Sequence, residues 1–531
     1  MKKYIFVTGG VCSSLGKGIA AASLGSLLET RGLRVCMIKV DPYLNVDAGT
    51  MSPFQHGEVY VTDDGAETDL DLGNYGRFTS SRLSKAHSIT TGQIYQSVIN
   101  KEREGKYLGK CVQVVPHITD EIKSRIYKLG EAEDVDVTIV EIGGTVGDIE
   151  SIPYLEAVRQ VIHEKGKSHT LSVHLTLVPE VTGGEVKTKP TQHSVKEMRE
   201  IGIQPDVLLC RCKNELGDDL KKKISLFTNI DFDSVLSAHD VNTTIYEIPV
   251  IYNQQGLCEV VVRKLGLKVG KAKLGEWQKV ADSYKNADKT VNIAMVGKYI
   301  ELADAYKSID EAVVHGALAN GVKVNIIKID SERFENGVTP DELLNGVDGI
   351  LVPGGFGERG INGMVIAARY ARENRIPYLG ICLGLQIMVI EYSRNVLGLE
   401  KANSSEFKPE GEHSVVTLLE EQVDVTAFGG TMRLGLSKSK LEKGTRIEKA
   451  YGSSEAWERH RHRYEVNNKY KQQLMDAGLV ISGYTPDGSL VEAVEWSDHP
   501  WGVSVQFHPE FTSKPVKAGP LFKDFVKASI K

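Results

Sequence analysis

The chain is poor in cysteine, lacks any long apolar run, and is dominated by neither sign of charge. Seven cysteines in 531 residues are too few and too scattered for a disulfide scaffold and suit a reducing compartment. The pair Cys210-Arg-Cys212 has no second pair to complete a zinc site. No stretch is long enough to cross a bilayer, and the apolar run behind Met1-Lys-Lys ends at Gly9-Gly10, too short for a signal peptide. These absences predict a cytoplasmic protein with no membrane partner. With 64 Lys+Arg against 70 Asp+Glu, a formal net charge of −6 argues against a general nucleic-acid binder. Repeats and low-complexity segments are missing too. What remains is the composition of a globular enzyme, 41% hydrophobic and 25% charged, at a length that implies two to four domains.

One break in character divides the sequence. From about Lys268 to Lys289 it is rich in Lys, Gly, Ala and Asp with little apolar periodicity, although a helix around Trp277 would fit. Thr290-Val-Asn-Ile-Ala-Met-Val-Gly297 then opens a fresh strand, as Lys3 to Gly10 opened the chain. Residues 1–267 and 289–531 are therefore expected to be two α/β domains joined by a linker, 268–288. Both alternate short Val/Ile-rich strands with amphipathic helices, which points to largely parallel sheets.

In the second domain, Tyr378-Leu-Gly-Ile-Cys-Leu-Gly384 places a lone cysteine between a strand and a helix, with glycine two residues away on each side. Glycines allow so sharp an elbow, and the helix N-terminus behind it favours thiolate. Taken alone, the stretch fits a buried structural cysteine equally well. A base is available downstream: Trp501-Gly-Val-Ser-Val-Gln-Phe-His-Pro-Glu510 reads as a strand ending in His508, with Glu510 two residues on. Cys382, His508 and Glu510 supply nucleophile, base and orienting carboxylate. Leu351-Val-Pro-Gly-Gly-Phe-Gly357 adds a glycine loop whose N–H groups, with that of Leu383, could hold an oxyanion.

In the first domain, Tyr4 to Gly18 reads as strand, Gly/Ser loop and lysine, followed by a helix over 19–30. This is the physics of a P-loop, with an anion nest, a helix N-terminus and Lys17 for the outer phosphates. The pattern departs from the usual one, since position 11 is Val and position 18 is Gly, so the hydroxyl that normally ligates Mg²⁺ is missing. Carboxylates must replace it. Asp71, in Asp63-Asp-Gly-Ala-Glu-Thr-Asp-Leu-Asp71, and Glu141, closing the strand from Val137, are the candidates, with Lys39 at another strand end for charge balance. Lys187-Thr-Lys-Pro-Thr-Gln192 is a fair ligand set for a second triphosphate, with Lys223 as an addition.

The second half resembles class I glutamine amidotransferase domains. The whole chain resembles the CTP synthase family, through Phe6 to Gly18, Asp47 to Pro53, Gln55 to Glu58, Asp63 to Asp71, Glu141 to Glu150 and Lys187 to Gln192. The resemblance implies a P-loop-type parallel-sheet synthetase domain followed by a class I glutamine amidotransferase α/β domain. It implies an ATP-dependent ligase that phosphorylates O4 of UTP and replaces it with ammonia from L-glutamine. Glutamine binding carries over onto Gly355, Leu383, Gly384, Leu385, Gln386, Glu406 and Arg463. ATP binding carries onto Ser14, Leu15, Gly16, Lys17, Gly18, Ile19 and Asp71, with Mg²⁺ on Asp71 and Glu141. UTP, or CTP as feedback inhibitor, falls to Ser13, Asp148, Ile149, Glu150, Lys187, Thr188, Lys189, Pro190, Thr191, Gln192 and Lys223. The resemblance also places His56 on the ammonia path and Arg433 on the route of activation by GTP, and it implies a homotetramer. Cys12 gains no role from it. Two other readings remain open on sequence: a cobyric acid synthase-like amidoligase acting on a carboxylate, and a P-loop partition or scaffold ATPase with a degenerate second domain.

Overall fold

The computed structural model describes residues 2–52, 56–418 and 432–531. Pro53 and Gln55 of the family strings lie outside the described residues. Two compact units emerge, one of residues 1–47 and 71–281, the other of residues 48–70 and 282–531. The expected linker 268–288 is divided between the units at 281/282, and segment 48–70, read as part of the first domain, packs with the second unit. Tyr60 shows why, since its ring lies edge-on to Phe511 at 5.1 Å and its hydroxyl donates to the Phe511 carbonyl.

The first unit is built on a seven-stranded sheet of Lys3–Gly9 (β1), Val35–Asp41 (β2), Ser88–Thr90 (β3), Val137–Ile142 (β4), Thr170–Leu177 (β5), Val207–Cys212 (β6) and Val235–His239 (β7). The order is β7-β6-β5-β1-β4-β2-β3, and every pair is parallel. Ile5, Phe6 and Val7 are fully buried, as expected of a parallel strand covered on both faces. Helices Lys17–Glu29 (α1), Asp71–Phe78 (α2) and Lys189–Glu200 (α3) carry functional candidates, as does Asp218–Thr228 with Lys223. The expected linker is not featureless. Helix Gly275–Lys285 (α4) buries Trp277 against Phe78 and Tyr246.

The main sheet of the second unit has, among the described residues, nine strands: Thr290–Gly297 (β8), Lys323–Asp330 (β9), Gly349–Val352 (β10), Tyr378–Ile381 (β11), Arg433–Leu441 (β12), Glu455–His462 (β13), Leu479–Tyr484 (β14), Val491–Trp496 (β15) and Gly502–Val505 (β16). Their order is β9-β8-β10-β11-β16-β15-β14-β12-β13. The expected parallel pairing holds from β9 through β16 and then turns antiparallel. Helix Leu383–Asn395 (α5) follows β11 and is buried along most of its length.

Both sheets put their functional segments where parallel sheets place ligands, at the carboxyl ends of strands. The P-loop follows β1 and Glu141 lies near the end of β4; the glycine loop follows β10, Cys382 follows β11 and His508 follows β16.

Candidate active site

Cys382 stands between β11 and α5 with φ 54° and ψ −101°, a conformation that costs a non-glycine residue free energy and marks functional turns. Both flanking glycines are required. A Cβ on Gly380 would lie 2.4 Å from Ser504 Oγ, and one on Gly384 would lie 2.1 Å from the Val352 carbonyl oxygen. The elbow is thus forced by close packing against β16 and β10, as its spacing predicts.

Around the sulfur the second unit gathers the expected partners. His508 Nδ1 lies 2.6 Å from Glu510 Oε1, with both side chains buried. Burial works against charge on the imidazole, but Glu510 and then the Cys382 sulfur overcome it and raise its pKa to about 10. The ring therefore favours the imidazolium across the neutral range. Phe511 stacks on His508 at 5.3 Å, and Gln506 Nε2 lies 3.6 Å from Cys382 Sγ. Cys382, His508, Gly355, Phe356 and Glu58 line one open cavity of about 590 Å³.

The glutamine-site candidates fall around this turn. Glu406 Oε1 accepts the Gly357 N–H at 2.7 Å. Burial raises its pKa, while Gly357, Lys298 and Arg463 oppose the rise, which places Arg463 within electrostatic reach of that carboxylate. Leu383, Gly384 and Leu385 form the buried first turn of α5, where the Leu385 N–H already bonds the Cys382 carbonyl at 3.1 Å. Gln386 turns its amide to the Tyr464 carbonyl at 3.2 Å. Lys298 is a participant that the sequence did not single out. It is buried just beyond β8 and donates to the carbonyls of Phe356 and Gly357. His56 pairs with Asp69 at 3.2 Å, and Arg433 with Glu465 and Glu492 at 3.0 and 2.6 Å, all inside the second unit.

In the first unit, Val11, Ser14 and Gly16 take left-handed φ angles of 77°, 60° and 87°. Such alternation turns successive N–H groups to one side as an anion nest. Lys17 begins α1 and donates to the Gly144 carbonyl at 2.7 Å. Burial holds its ammonium below the usual lysine value against the pull of Glu141. Ser14, Leu15, Gly16 and Ile19 line a cavity of about 1090 Å³ whose other wall includes Arg211, His239 and Tyr252; Lys17 and Gly18 are not part of that lining.

Asp71 and Glu141 converge, as expected, on one point. Lys39 is ion-paired with Asp71, lies 3.3 Å from Glu141 Oε1 and lies 3.6 Å from Asp41 Oδ1. Tyr75 donates to the other Glu141 oxygen at 2.5 Å. The missing hydroxyl at position 18 now has a physical reason, because a Cβ there would lie 1.9 Å from Asp71 Oδ1. The carboxylate fills the space that a serine or threonine would need. An all-oxygen pair of carboxylates beside a phosphate nest fits Mg²⁺, which takes one or two carboxylates and shares the rest with water and phosphate.

The second triphosphate set is less compact. Asp148 Oδ2 accepts the Thr145 N–H, and Ile149 and Glu150 are exposed. Lys187 is paired with Glu185 at 2.5 Å. Thr188 caps α3, where Lys189, Pro190, Thr191 and Gln192 form the first turn. The Thr191 hydroxyl is committed to the core, bonding Thr176 and the Leu177 carbonyl, so only its backbone is free to face a ligand. Lys189 lies 5.6 Å over the ring of Phe227, which shares the helix Asp218–Thr228 with the exposed Lys223. Ser13 is exposed beside the nest. Cys36, His87 and Glu133 also meet within the first unit. His87 Nδ1 accepts the Ser84 N–H, so its neutral ring carries the proton on Nε2 and that nitrogen has no lone pair for a metal.

A thiol–imidazole–carboxylate elbow on one sheet and a P-loop with paired carboxylates on the other define a class: a glutamine amidotransferase domain joined to a nucleotide-dependent synthetase domain. The comparisons agree. Residues 301–528 match the family described as glutamine amidotransferase class-I, and residues 3–267 match that described as CTP synthase N-terminus. The CTP synthase of Carboxydothermus hydrogenoformans is 56% identical over 532 residues, covering 100% of this chain and 99% of that one. The CTP synthase of Geobacter sulfurreducens is 56% identical over 531 residues, covering 99% and 98%. The solved glutaminase domain of Trypanosoma brucei CTPS with bound acivicin is 44% identical, covers 45% of this chain and 93% of that one, and has a TM-score of 0.42. The chain belongs to the CTP synthase family and is a ligase that carries a glutamine amidotransferase domain. Among the described residues no helix is long and apolar enough to cross a membrane.

Proposed function

We propose that the protein converts UTP to CTP, using ATP and the amide nitrogen of L-glutamine. The observation that carries this reading is the presence, in one chain of full-length CTP synthase kinship, of two separately assembled sites with complementary chemistry. In the second unit, the Cys382 thiolate attacks the glutamine amide carbon. The N–H groups of Gly355 and Leu383 receive the oxyanion, and the His508 imidazolium gives its proton to the departing ammonia. The neutral imidazole then takes a proton from the water that cleaves the thioester, releasing glutamate. Glu510 keeps the ring oriented, while Glu406 and Arg463 hold the charged end of the substrate.

In the first unit, the nest at 11–16 and Lys17 hold the ATP phosphates, and the cavity beside Arg211 and Tyr252 takes the base. Asp71 and Glu141 would hold Mg²⁺, which supplies charge neutralisation at the transferring phosphoryl group. O4 of uracil is a poor leaving group; as its phosphate ester it leaves readily when ammonia attacks C4. Ser13, Lys187–Gln192 and Lys223 hold the UTP triphosphate, the same anion-binding surface would accept the triphosphate of CTP as inhibitor, and Asp148–Glu150 belong to that inhibitory CTP site. Activation by GTP, involving Arg433, a homotetrameric assembly and a cytoplasmic location complete the proposal.

The test is direct. UTP, ATP, Mg²⁺ and glutamine together are expected to yield CTP, followed by its absorbance and by chromatography. No CTP with all four present would overturn the reading. Turnover of a carboxylate acceptor in place of UTP would favour the other amidoligase class.

A further inference from the structure

The turn that faces Cys382 is gripped on both sides by two charged groups, Glu406, which the proposed function already uses, and Lys298, which it does not. The Gly357 N–H goes to Glu406 Oε1 at 2.7 Å, and the carbonyls of Phe356 and Gly357 both accept from Lys298 Nζ. An ammonium with three donors suits this position because it can bond two adjacent carbonyls at once. The Lys298 stem passes beneath the turn. A Cβ on Gly355 would lie 3.4 Å from Lys298 Cδ and 3.3 Å from the Leu383 side chain, so Gly355 is seated between the lysine and the first turn of α5. Gly354 is equally confined, its Cβ direction pointing at His508 Cε1 3.2 Å away and Cys382 Cβ 3.6 Å away. Gly354 and Gly355 are thus closely confined, and the carbonyls of Phe356 and Gly357 are tied to Lys298, that of Phe356 also to the Tyr299 hydroxyl.

We propose that Lys298 is a positioning residue for the glutamine half-reaction: by holding the carbonyls of Phe356 and Gly357, it fixes the end of the turn and so keeps the Gly355 N–H directed at the substrate of Cys382. The inference rests on the reading of this cavity as a glutamine site. A carbonyl released from Lys298 could rotate toward the oxyanion and repel it, in place of a donating N–H.

The surroundings of Lys298 set when this grip is charged. Glu406 faces it from the segment after Ala402–Ser404, Glu335 from the short helix Glu332–Glu335, and the Phe407 ring lies 5.5 Å from Nζ. Arg359 donates to the Lys298 carbonyl and is itself paired with Glu332 at 2.8 Å, while Arg463 bears on Glu406. Burial dominates and lowers the Lys298 pKa to about 8, with Glu406 holding it up and Arg359 pressing it down. A lysine with a lowered pKa is charged below that value and loses the charge as pH rises through it, so the grip weakens above about pH 8.

The experiment compares glutamine with ammonia as nitrogen source in the full-length enzyme, for wild type, Lys298→Met and Lys298→Arg. Lys298→Met keeps the apolar stem and removes the donors. It is expected to lower kcat/KM for glutamine on the order of 10- to 100-fold, the range seen when groups that orient a reactive site are removed, with a smaller change in ammonia-supported synthesis. Lys298→Arg, which keeps the charge, is expected to fall between. In the wild type, kcat/KM for glutamine should decline as pH rises through about 8, and Lys298→Met should lose that limb. A folded Lys298→Met enzyme with wild-type glutamine kinetics and an unchanged limb overturns the proposal. So does an equal loss with both nitrogen sources. A wild type that does not use glutamine at all would instead refute the underlying site assignment.

Discussion

The two sites handle charge in opposite ways. In the second unit, one buried imidazole is held charged by neighbours fixed within a single compact arrangement, Glu510 on one nitrogen and the Cys382 sulfur on the other side. In the first unit, Lys39 is shared among Asp41, Asp71 and Glu141, Lys187 is paired with Glu185, and Lys17 rests on a backbone carbonyl. The acyl-transfer site contains its reactive partners in the chain and needs only an amide. The phosphate site is a set of charges that bond one another through contacts a nucleotide and a metal can exchange. One sheet thus presents a nucleophile, the other a cradle. The difference follows from the chemistry, since phosphoryl transfer asks for positioning and charge neutralisation rather than covalent participation.

Two substitutions break the comparison from either side. The larger effect is expected from Lys17→Ala, which should reduce CTP synthesis on the order of 10³-fold with either nitrogen source, as loss of a phosphate-stabilising cation does. Basal glutamine hydrolysis should persist, because nothing in the second unit depends on that ammonium. Parallel assays of CTP and glutamate release check it, and unchanged synthesis would remove Lys17 from the phosphate site. A smaller loss, about 10²-fold in glutamine use, is expected for Glu510→Gln, since a thiol ionises more readily than a serine hydroxyl and leans less on the third group. This variant also sharpens the electrostatic account. Glu510 is among the groups that raise the His508 pKa to about 10, so its neutralisation should move the upper alkaline limb of the glutaminase pH profile, the one that remains in Lys298→Met, to lower pH. A limb that stays put would mean that the carboxylate only orients the ring.

Much of this was legible in the sequence wherever glycine spacing encodes a sharp local geometry. The Cys382 elbow and the loop at 9–18 are such cases, because close approach of backbone to backbone leaves no room for a Cβ. The meeting of His508 with Cys382 was expected from residue type and chain order, and the pairing of β11 with β16, which the sequence did not reveal, brings it about. What stayed hidden depends on contacts between distant segments. The glycine at position 18 read as a departure from a pattern until Asp71 was found in its Cβ space. Lys298 carries no motif that would single it out, and only the folded turn at 354–357 reveals what its ammonium holds. Segment 48–70 carries synthetase motifs yet packs with the second unit through Tyr60, Asp63 and Glu67, the acids pairing with Arg459 and Arg461. Hydrophobic patterning does not reveal which sheet such a segment joins.

The division of labour between a nitrogen-releasing unit and a nitrogen-using unit is tested most directly by Cys382→Ala, assayed for CTP formation with glutamine and with free ammonia side by side. The account predicts no CTP from glutamine and near wild-type CTP from ammonia. Retained glutamine-dependent synthesis, or a folded variant that ammonia fails to support, would contradict it.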